Sequence, residues 1–470
     1  MCAIFGIHGS TDAAILTLWG LHALQHRGQE SFGLAVRDKT GIAVERRLGL
    51  AGSMLTPHLL QEFPGIAAIG HTRYSTSGSK HDDPAMALTN THPFVAHFKY
   101  DEGKYGDIAL VHNGNFTNAD MLRDVLYADG RIMRSRESDT EVFLHLIGKA
   151  RGSSFIGRLV DALGTIRGAY SLLIMTDKKL VAVRDPFGTH PLVMGKLRGA
   201  YVFASETCAL DTIHAEYLRD VEPGEIVVVE NGREPYSVRF AEPTPRPCIF
   251  EWVYTMHPGS RVNGRTIYEM RKEIGRQLAR EAPADADIVI AAPDSGTPYA
   301  LGYAEVLGIP FELGLLRNHY AVGRSFLEPT SALRNMKVRK KLLCNPVVQG
   351  QRVVLIDDSI VRGTTSGLTV EMLLEGGARE VHQRIAFPLF IGGCPSGTDV
   401  PTRAELASYG HGSTKAALHA LEEATRSASI RCISRAGLYG ALGMHPGSMC
   451  DGCITREWPI EIVDEKFSLI

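Results

Sequence analysis

The chain has 470 residues, more than a single hydrophobic core serves, so two or more domains are expected. Hydrophobic residues make up 44% and charged residues 22%, the balance of an ordinary globular enzyme rather than a disordered, fibrous or membrane-embedded chain. The net charge is −2, from 50 Lys+Arg against 52 Asp+Glu, which provides no field to gather nucleic acid or an anionic membrane surface.

The N-terminal text Met-Cys-Ala-Ile-Phe-Gly has no charged region followed by an apolar core and no cleavage signal, so a cytoplasmic location is expected. No apolar run approaches the ~20 residues of a membrane span. From Met1 to about Phe240, short strands and Gly-rich turns dominate: Ala3 to Ile7, Phe32 to Val36, Gly65 to His71, Ile108 to His112, Ser171 to Met175, Leu180 to Arg184 and Gly224 to Val229. Weak alternation with helices predicts stacked, largely antiparallel sheets with helices outside. Ala241 to Cys248, with Pro243, Pro245 and Pro247, reads as a linker, so domains of 2–240 and 241–470 are expected. From Thr266 the pattern becomes helix, strand, helix. Ile267 to Ala282 has helical spacing, Asp287 to Ala292 a strand, Thr297 to Leu307 a helix, Gly363 to Gly377 a helix ended by Gly-Gly, and Glu380 to Phe387 a strand. This half is α/β with a parallel sheet. No internal repeat or low-complexity tract is visible.

The thirteen residues Val353 to Thr365, Val-Val-Leu-Ile-Asp-Asp-Ser-Ile-Val-Arg-Gly-Thr-Thr, organise this second half. The unbroken aliphatic run Val353 to Ile356 suits a parallel strand buried on both faces. Asp357 and Asp358 fall at its carboxyl end, where doubly wound sheets bind ligands. Ser359 to Thr365, with Arg362, Gly363 and Thr364, offers hydroxyls and backbone N–H groups entering a helix, a cradle for a phosphate dianion. An acidic N-cap after an ordinary strand is the bland alternative. The string resembles the phosphoribosylpyrophosphate-binding motif of type I phosphoribosyltransferases, which implies ribose hydroxyls and Mg²⁺ at the two acids and the 5′-phosphate in the loop.

At the other end, Cys2 follows Met1 directly, and its small side chain favours removal of the methionine. The new α-amine, with a pKa of ~7.7–8, can then take the proton of its own thiol. A buried structural thiol is the alternative. It opens the first of six segments: Cys2-Ala-Ile-Phe-Gly-Ile, His26-Arg-Gly-Gln-Glu-Ser31, Gly70-His-Thr-Arg-Tyr-Ser-Thr76, Val111-His-Asn-Gly-Asn115, Ser138-Asp-Thr-Glu141 and Arg184-Asp-Pro-Phe-Gly188. Together they resemble the glutaminase domain of N-terminal-nucleophile amidotransferases, implying an αββα sandwich in which Cys2 attacks the side-chain amide of glutamine. By that resemblance Arg73 binds the substrate carboxylate, Asp139 the substrate ammonium, and Asn113 and Gly114 form the oxyanion hole. Taken singly, a surface Arg, an N-cap Asp and an Asn-Gly hairpin turn are the competing readings.

The two motif sets together resemble the glutamine phosphoribosylpyrophosphate amidotransferase family, from Cys2 nearly to the C-terminus. The resemblance implies that ammonia from glutamine displaces pyrophosphate at C1 of the ribose, giving 5-phosphoribosylamine at the entry to purine synthesis. It also implies a homotetramer inhibited by purine nucleotides. Ala292-Pro-Asp-Ser-Gly296 resembles the family's pyrophosphate loop, placing Asp294 and Ser295 at the substrate and Ser295 with Asp357 and Asp358 at Mg²⁺; a plain turn is the alternative. Arg317 to Pro329 resembles a closing lid, altered at His319 and near Ala321, with Arg339 and Lys341 at its basic end. Met256-His-Pro-Gly-Ser260 replaces the family's Ala-Arg-Pro-Asp-Ser. The altered lid around His319 supports a competing reading, a phosphoribosylpyrophosphate-binding paralogue without turnover or using only free ammonia.

Eight cysteines are dispersed along the chain, so in a reducing compartment catalysis or metal ligation is the question for each, not disulfides. Cys450-Asp-Gly-Cys453, with Cys248 and Cys394, resembles the iron–sulfur branch of the family and implies a 4Fe-4S cluster. Zinc satisfies the same ligand count. Around Cys394 the text Gly-Cys-Pro-Ser-Gly-Thr-Asp departs from the family pattern. Cys208, Cys344 and Cys432 read as ordinary thiols.

Overall fold

The computed structural model describes residues 1–56, 58–74, 83–101, 104–318, 341–398, 400 and 402–469. Most of the expected lid, including His319, Ala321 and Arg339, lies outside them, as do Ser75 and Thr76. The chain forms two compact units. The first comprises Met1–Cys248, Cys394–Asp399 and Trp458–Ser468, and the second Ile249–Gly393, Val400–Glu457 and Leu469–Ile470. The junction thus falls at Cys248, beyond the Pro-rich stretch, and two later segments return to the first unit.

The first unit has two antiparallel sheets. Its strands are β1 (Ala3–His8), β2 (Ser31–Arg37), β3 (Ile42–Leu48), β4 (Ala67–Arg73), β5 (Phe94–Asp101), β6 (Lys104–Phe116), β7 (Gly168–Met175), β8 (Lys179–Arg184), β9 (Val193–Leu197), β10 (Ala200–Ala204), β11 (Glu216–Asp220), β12 (Glu225–Glu230) and β13 (Tyr236–Arg239). One sheet runs β11-β9-β10-β1-β4-β2-β3 and the other β13-β12-β8-β7-β6-β5. Side chains alternate between two cores, as the strand's period of two requires. On β1, Ala3, Phe5 and Ile7 point to helix α1 (Ala13–Ala23), while Ile4 points between the sheets. On β6, Ile108 and Leu110 meet the helical layer of α2 (Ala119–Ala128), α3 (Asp139–Lys149) and α4 (Phe155–Leu163), whereas Ala109 and Val111 face the inter-sheet core. The result is the expected αββα sandwich, and the central strands look uniformly apolar because both faces are covered.

The second unit is built on four parallel strands in the order β14 (Ile288–Ala291), β15 (Arg352–Asp357), β16 (Glu380–Ile385) and β17 (Ser429–Cys432). Helix α5 (Ile267–Glu281) starts at a capping box between Thr266 and Glu269. It packs against α6 (Thr297–Leu307), which follows the loop after β14. Helix α7 (Thr364–Glu375) follows the loop after β15. This is the expected α/β arrangement, with both loops at the carboxyl ends of neighbouring strands.

Candidate functional site

In the first unit, Cys2 precedes β1, whose register sets Ala3 beside Thr72 of β4, one residue before Arg73. The Cys2 carbonyl accepts a hydrogen bond from Arg27 Nε at 2.9 Å. Arg27 Nη1 in turn donates to Glu206 Oε1 at 2.6 Å, with both side chains fully buried, and His26 Nε2 lies 3.0 Å from the same oxygen. A buried pair of this kind tolerates no loss of one partner, so it pins the backbone carrying the thiol. The Cys2 thiol points to the Tyr74 carbonyl at 3.7 Å. With Met1 in place the Cys2 nitrogen is a peptide N–H that cannot accept a proton; Met1 itself is 4% exposed.

Asn113 and Gly114 lie within β6, opposite Ser171 and Tyr170 of β7, so the hairpin-turn reading does not hold. Gly114 has φ +144°, and a Cβ there would stand 2.0 Å from the Ala169 carbonyl oxygen, which restricts the position to glycine. Asn113 is 1% exposed, and its Nδ2 has no hydrogen-bond partner. A buried donor left unpaired costs about 1–3 kcal/mol, and Asn113 Nδ2 is available to an incoming oxygen.

Asp139 opens α3. It accepts from Phe116 N at 2.9 Å and Thr140 Oγ1 at 3.1 Å, and lies 3.6 Å from His112 Nδ1. Burial pushes its pKa up, but His112 and these hydrogen bonds outweigh that and hold it at about 2. Nearby, His71 and His92 stack with ring centroids 4.1 Å apart, and His112 N donates to His92 Nδ1 at 3.3 Å. Burial, then the Arg73 charge, lowers His71 to about 3; burial, then His71, holds His92 well below its ordinary value. At neutral pH these two rings are uncharged while Asp139 is ionised. Arg73 Nη1 pairs with Glu30 Oε1 at 2.8 Å. Glu30, Arg27, Glu206 and the His71–His92 pair received no role from the sequence, although the first two stand within the quoted His26–Ser31 segment.

In the second unit, Asp357 and Asp358 stand at the end of β15, and burial raises both pKa values, with the Asp358 charge adding to the effect on Asp357. Asp358 N donates to Asp357 Oδ1 at 2.9 Å, and Ser359 Oγ donates to Asp358 Oδ1 at 2.5 Å. The Ser295 side chain also hydrogen-bonds Asp358, so the loops after β14 and β15 meet there. Arg271 of α5, 2% exposed, is the cation facing Asp358 and was not anticipated. Asp294 turns outward and pairs with Arg317 at 2.5 Å. Arg362 is exposed and binds Glu405 at 2.9 Å. Gly363 takes φ +80° immediately before α7, and Thr364 is exposed at the helix start. The Thr365 side chain lies outside the described atoms. Two carboxylates and a hydroxyl suit Mg²⁺, which keeps water and substrate oxygens in its remaining positions, and a divalent cation would offset the like charges that burial disfavours.

Cys248 and Cys394 belong to the first unit, Cys450 and Cys453 to the second. Within the second, Ile249 N donates to the Cys450 carbonyl at 3.1 Å, and Ile391 N and Gly392 N donate to the Cys453 carbonyl at 2.9 and 3.1 Å. Among the described residues no group of three or more His, Cys, Asp or Glu side chains is arranged to hold a metal ion.

The first unit's sandwich and its strand-borne Asn113–Gly114 place the chain in the glutamine amidotransferase class, and a family model for a glutamine amidotransferase domain matches residues 100–212. Over the whole length it is 45% identical to an amidophosphoribosyltransferase of Rhizobium etli, covering 99% of this chain and 93% of that one. It is also 45% identical to a chloroplastic amidophosphoribosyltransferase of Arabidopsis thaliana, covering 98% and 84%. A structure of the B. subtilis glutamine phosphoribosylpyrophosphate amidotransferase complexed with ADP and GMP superimposes with TM-score 0.88 at 37% identity, over 99% of this chain and 98% of that one. The chain belongs to the amidophosphoribosyltransferase family and is an enzyme, at once a glutamine amidotransferase and a pentosyltransferase.

Proposed function

We propose that Cys2, after removal of Met1, is the nucleophile that cleaves glutamine, and that the ammonia released replaces pyrophosphate on phosphoribosylpyrophosphate at the Asp357–Thr365 site. The observation that carries the first half is the unpartnered, buried Nδ2 of Asn113 beside the left-handed Gly114. The α-amine takes the thiol proton, the sulfur adds to the amide carbon, and the new oxyanion receives hydrogen bonds from Asn113 Nδ2 and Gly114 N–H. The proton then passes to the leaving ammonia, and water hydrolyses the thioester to glutamate. Asp139, ionised, pairs with the substrate ammonium, and Arg73, oriented by Glu30, with its carboxylate.

In the second half, Asp357 and Asp358 hold the ribose hydroxyls, Asp294 and Ser295 lie at the pyrophosphate, and Ser359, Arg362, Gly363, Thr364 and Thr365 surround the 5′-phosphate. Mg²⁺ at Asp357, Asp358 and Ser295 would supply charge neutralisation for the departing pyrophosphate. Cys248, Cys394, Cys450 and Cys453 are proposed ligands of a 4Fe-4S cluster; four thiols, of which Cys248, Cys450 and Cys453 are buried and Cys394 half-buried, are the donor chemistry such a cluster takes. Purine nucleotides are the expected inhibitors and a homotetramer the expected assembly. The step is the entry to purine synthesis, carried out in the cytoplasm.

The test is Cys2→Ala in anaerobically purified protein. Glutamine-dependent pyrophosphate release should vanish while release with ammonium persists. Unchanged glutamine use would overturn the reading, and iron, sulfide and zinc assays on the same sample decide the identity of the metal.

A further inference from the structure

The first unit contains six residues from far along the chain, Cys394–Asp399, and the described part of this segment lies against the strand that bears Asn113 and Gly114. Asn115 Nδ2 donates to the Pro395 carbonyl at 2.9 Å, two residues from Asn113. His190, fully buried, reaches the Ser396 carbonyl with Nε2 at 2.8 Å. The carbonyl of His190 in turn accepts from Ser171 Oγ at 3.3 Å, and Ser171 is the β7 residue paired with Asn113. Gly397 has φ +91°, and a Cβ added to it would stand 2.8 Å from the Gly114 carbonyl oxygen. Thr398 Oγ1 donates to Met1 Sδ at 3.3 Å, so the segment also borders the space that Met1 vacates.

We propose that Pro395–Thr398 is a positioning strap for the oxyanion cradle. Its two carbonyls fix Asn115 and His190 on either side of Asn113, and Gly397 seats the Gly114 peptide so that the cradle's donors stay aimed at the developing charge. The strap touches neither substrate nor the reacting atoms. This inference rests on the assignment of Asn113 and Gly114 to the oxyanion. Donors aligned beforehand act on the transition state more than on bound substrate, so loss of the strap should appear in kcat rather than KM.

The test is Gly397→Ala in the full-length protein, with Asn115→Ala as a milder variant that adds no atoms. For Gly397→Ala, glutamine-dependent kcat should fall at least tenfold, with KM for glutamine within threefold of the parent and ammonium-dependent pyrophosphate release within twofold. Asn115→Ala should fall three- to tenfold with the same split. Glutamine-dependent kcat within twofold of the parent in both variants would overturn the strap, as would a rise in KM without a fall in kcat. So would a parallel loss of the ammonium-dependent rate, which would mark a general folding defect. A parent enzyme whose glutamine use is unaffected by Asn113→Ala would instead refute the oxyanion assignment beneath it.

Discussion

Asp139 is held ionised by contacts that the unfolded chain lacks, and its acid sensitivity follows. Its folded pKa is depressed to about 2 from the usual 3.8. The stabilisation is therefore complete above pH ~4 and disappears as pH falls through about 2, and it amounts to on the order of 2 kcal/mol. His71 behaves in the opposite chemical sense with the same pH direction. It is neutral when folded, with a pKa lowered to about 3 by burial, so below its free value near 6.5 protonation favours unfolding by about 1.4 kcal/mol per pH unit. Thermal melts should therefore show the first unit losing Tm steadily below pH 6.5, and His71→Phe should flatten that slope. For function, Asp139→Asn should raise KM for glutamine at least tenfold with little change in the ammonium-dependent rate, measured by steady-state kinetics. The roles proposed for Cys2, Arg73, Asn113, Gly114 and Asp139 could be assigned from the sequence because each sits in a local string of distinctive letters. Glu30, Glu206 and His92 were not, because their roles arise from pairings across strands that no local pattern encodes.

The elements were easier to foresee where one period dominates, as on α5 and β15, than where both faces of a strand are buried, as on β1. What the pattern could not disclose is how closely elements approach. Gly275 of α5 and Gly302 of α6 interlock: a Cβ on the first would stand 2.0 Å from the Tyr299 carbonyl oxygen, and on the second 2.0 Å from that of Lys272. Gly275→Ala should destabilise the second unit by about 3 kcal/mol, the upper end for overpacking, as read by denaturant midpoint. At the end of β15 the raised pKa values of Asp357 and Asp358 predict that Mg²⁺ uptake with phosphoribosylpyrophosphate releases protons, detectable calorimetrically as a buffer-dependent heat. Asp357→Asn should abolish that release and reduce pyrophosphate formation at least a hundredfold, while glutamine cleavage at Cys2 survives.

At the scale of the molecule, sequence reading divides the chain once, near a Pro-rich stretch, whereas the units it forms exchange segments. Trp458–Ser468 belongs to the first unit, and the reason is visible in helix α2. The N-cap residue Asn118 leaves the helix uncapped, turning its side chain to Thr165 O and Arg167 N. The missing acceptor comes from Asp464, which takes hydrogen bonds from Asp120 N at 2.9 Å and Met121 N at 3.3 Å. A cap supplied from 344 residues away leaves no local signature, which is why this return was not foreseen. Asp464→Ala should lower stability by about 1 kcal/mol through the lost cap, seen as a Tm decrease confined to the first unit.

This distant cap also sets an order of events during synthesis. Residues 1–248 leave the ribosome long before Asp464 does, so α2 of the amino-terminal sandwich lacks this acceptor until residue 464 has been made. A nascent chain stalled before 458 should carry that helix open to proteases, and extension of the chain past Asp464 should close it.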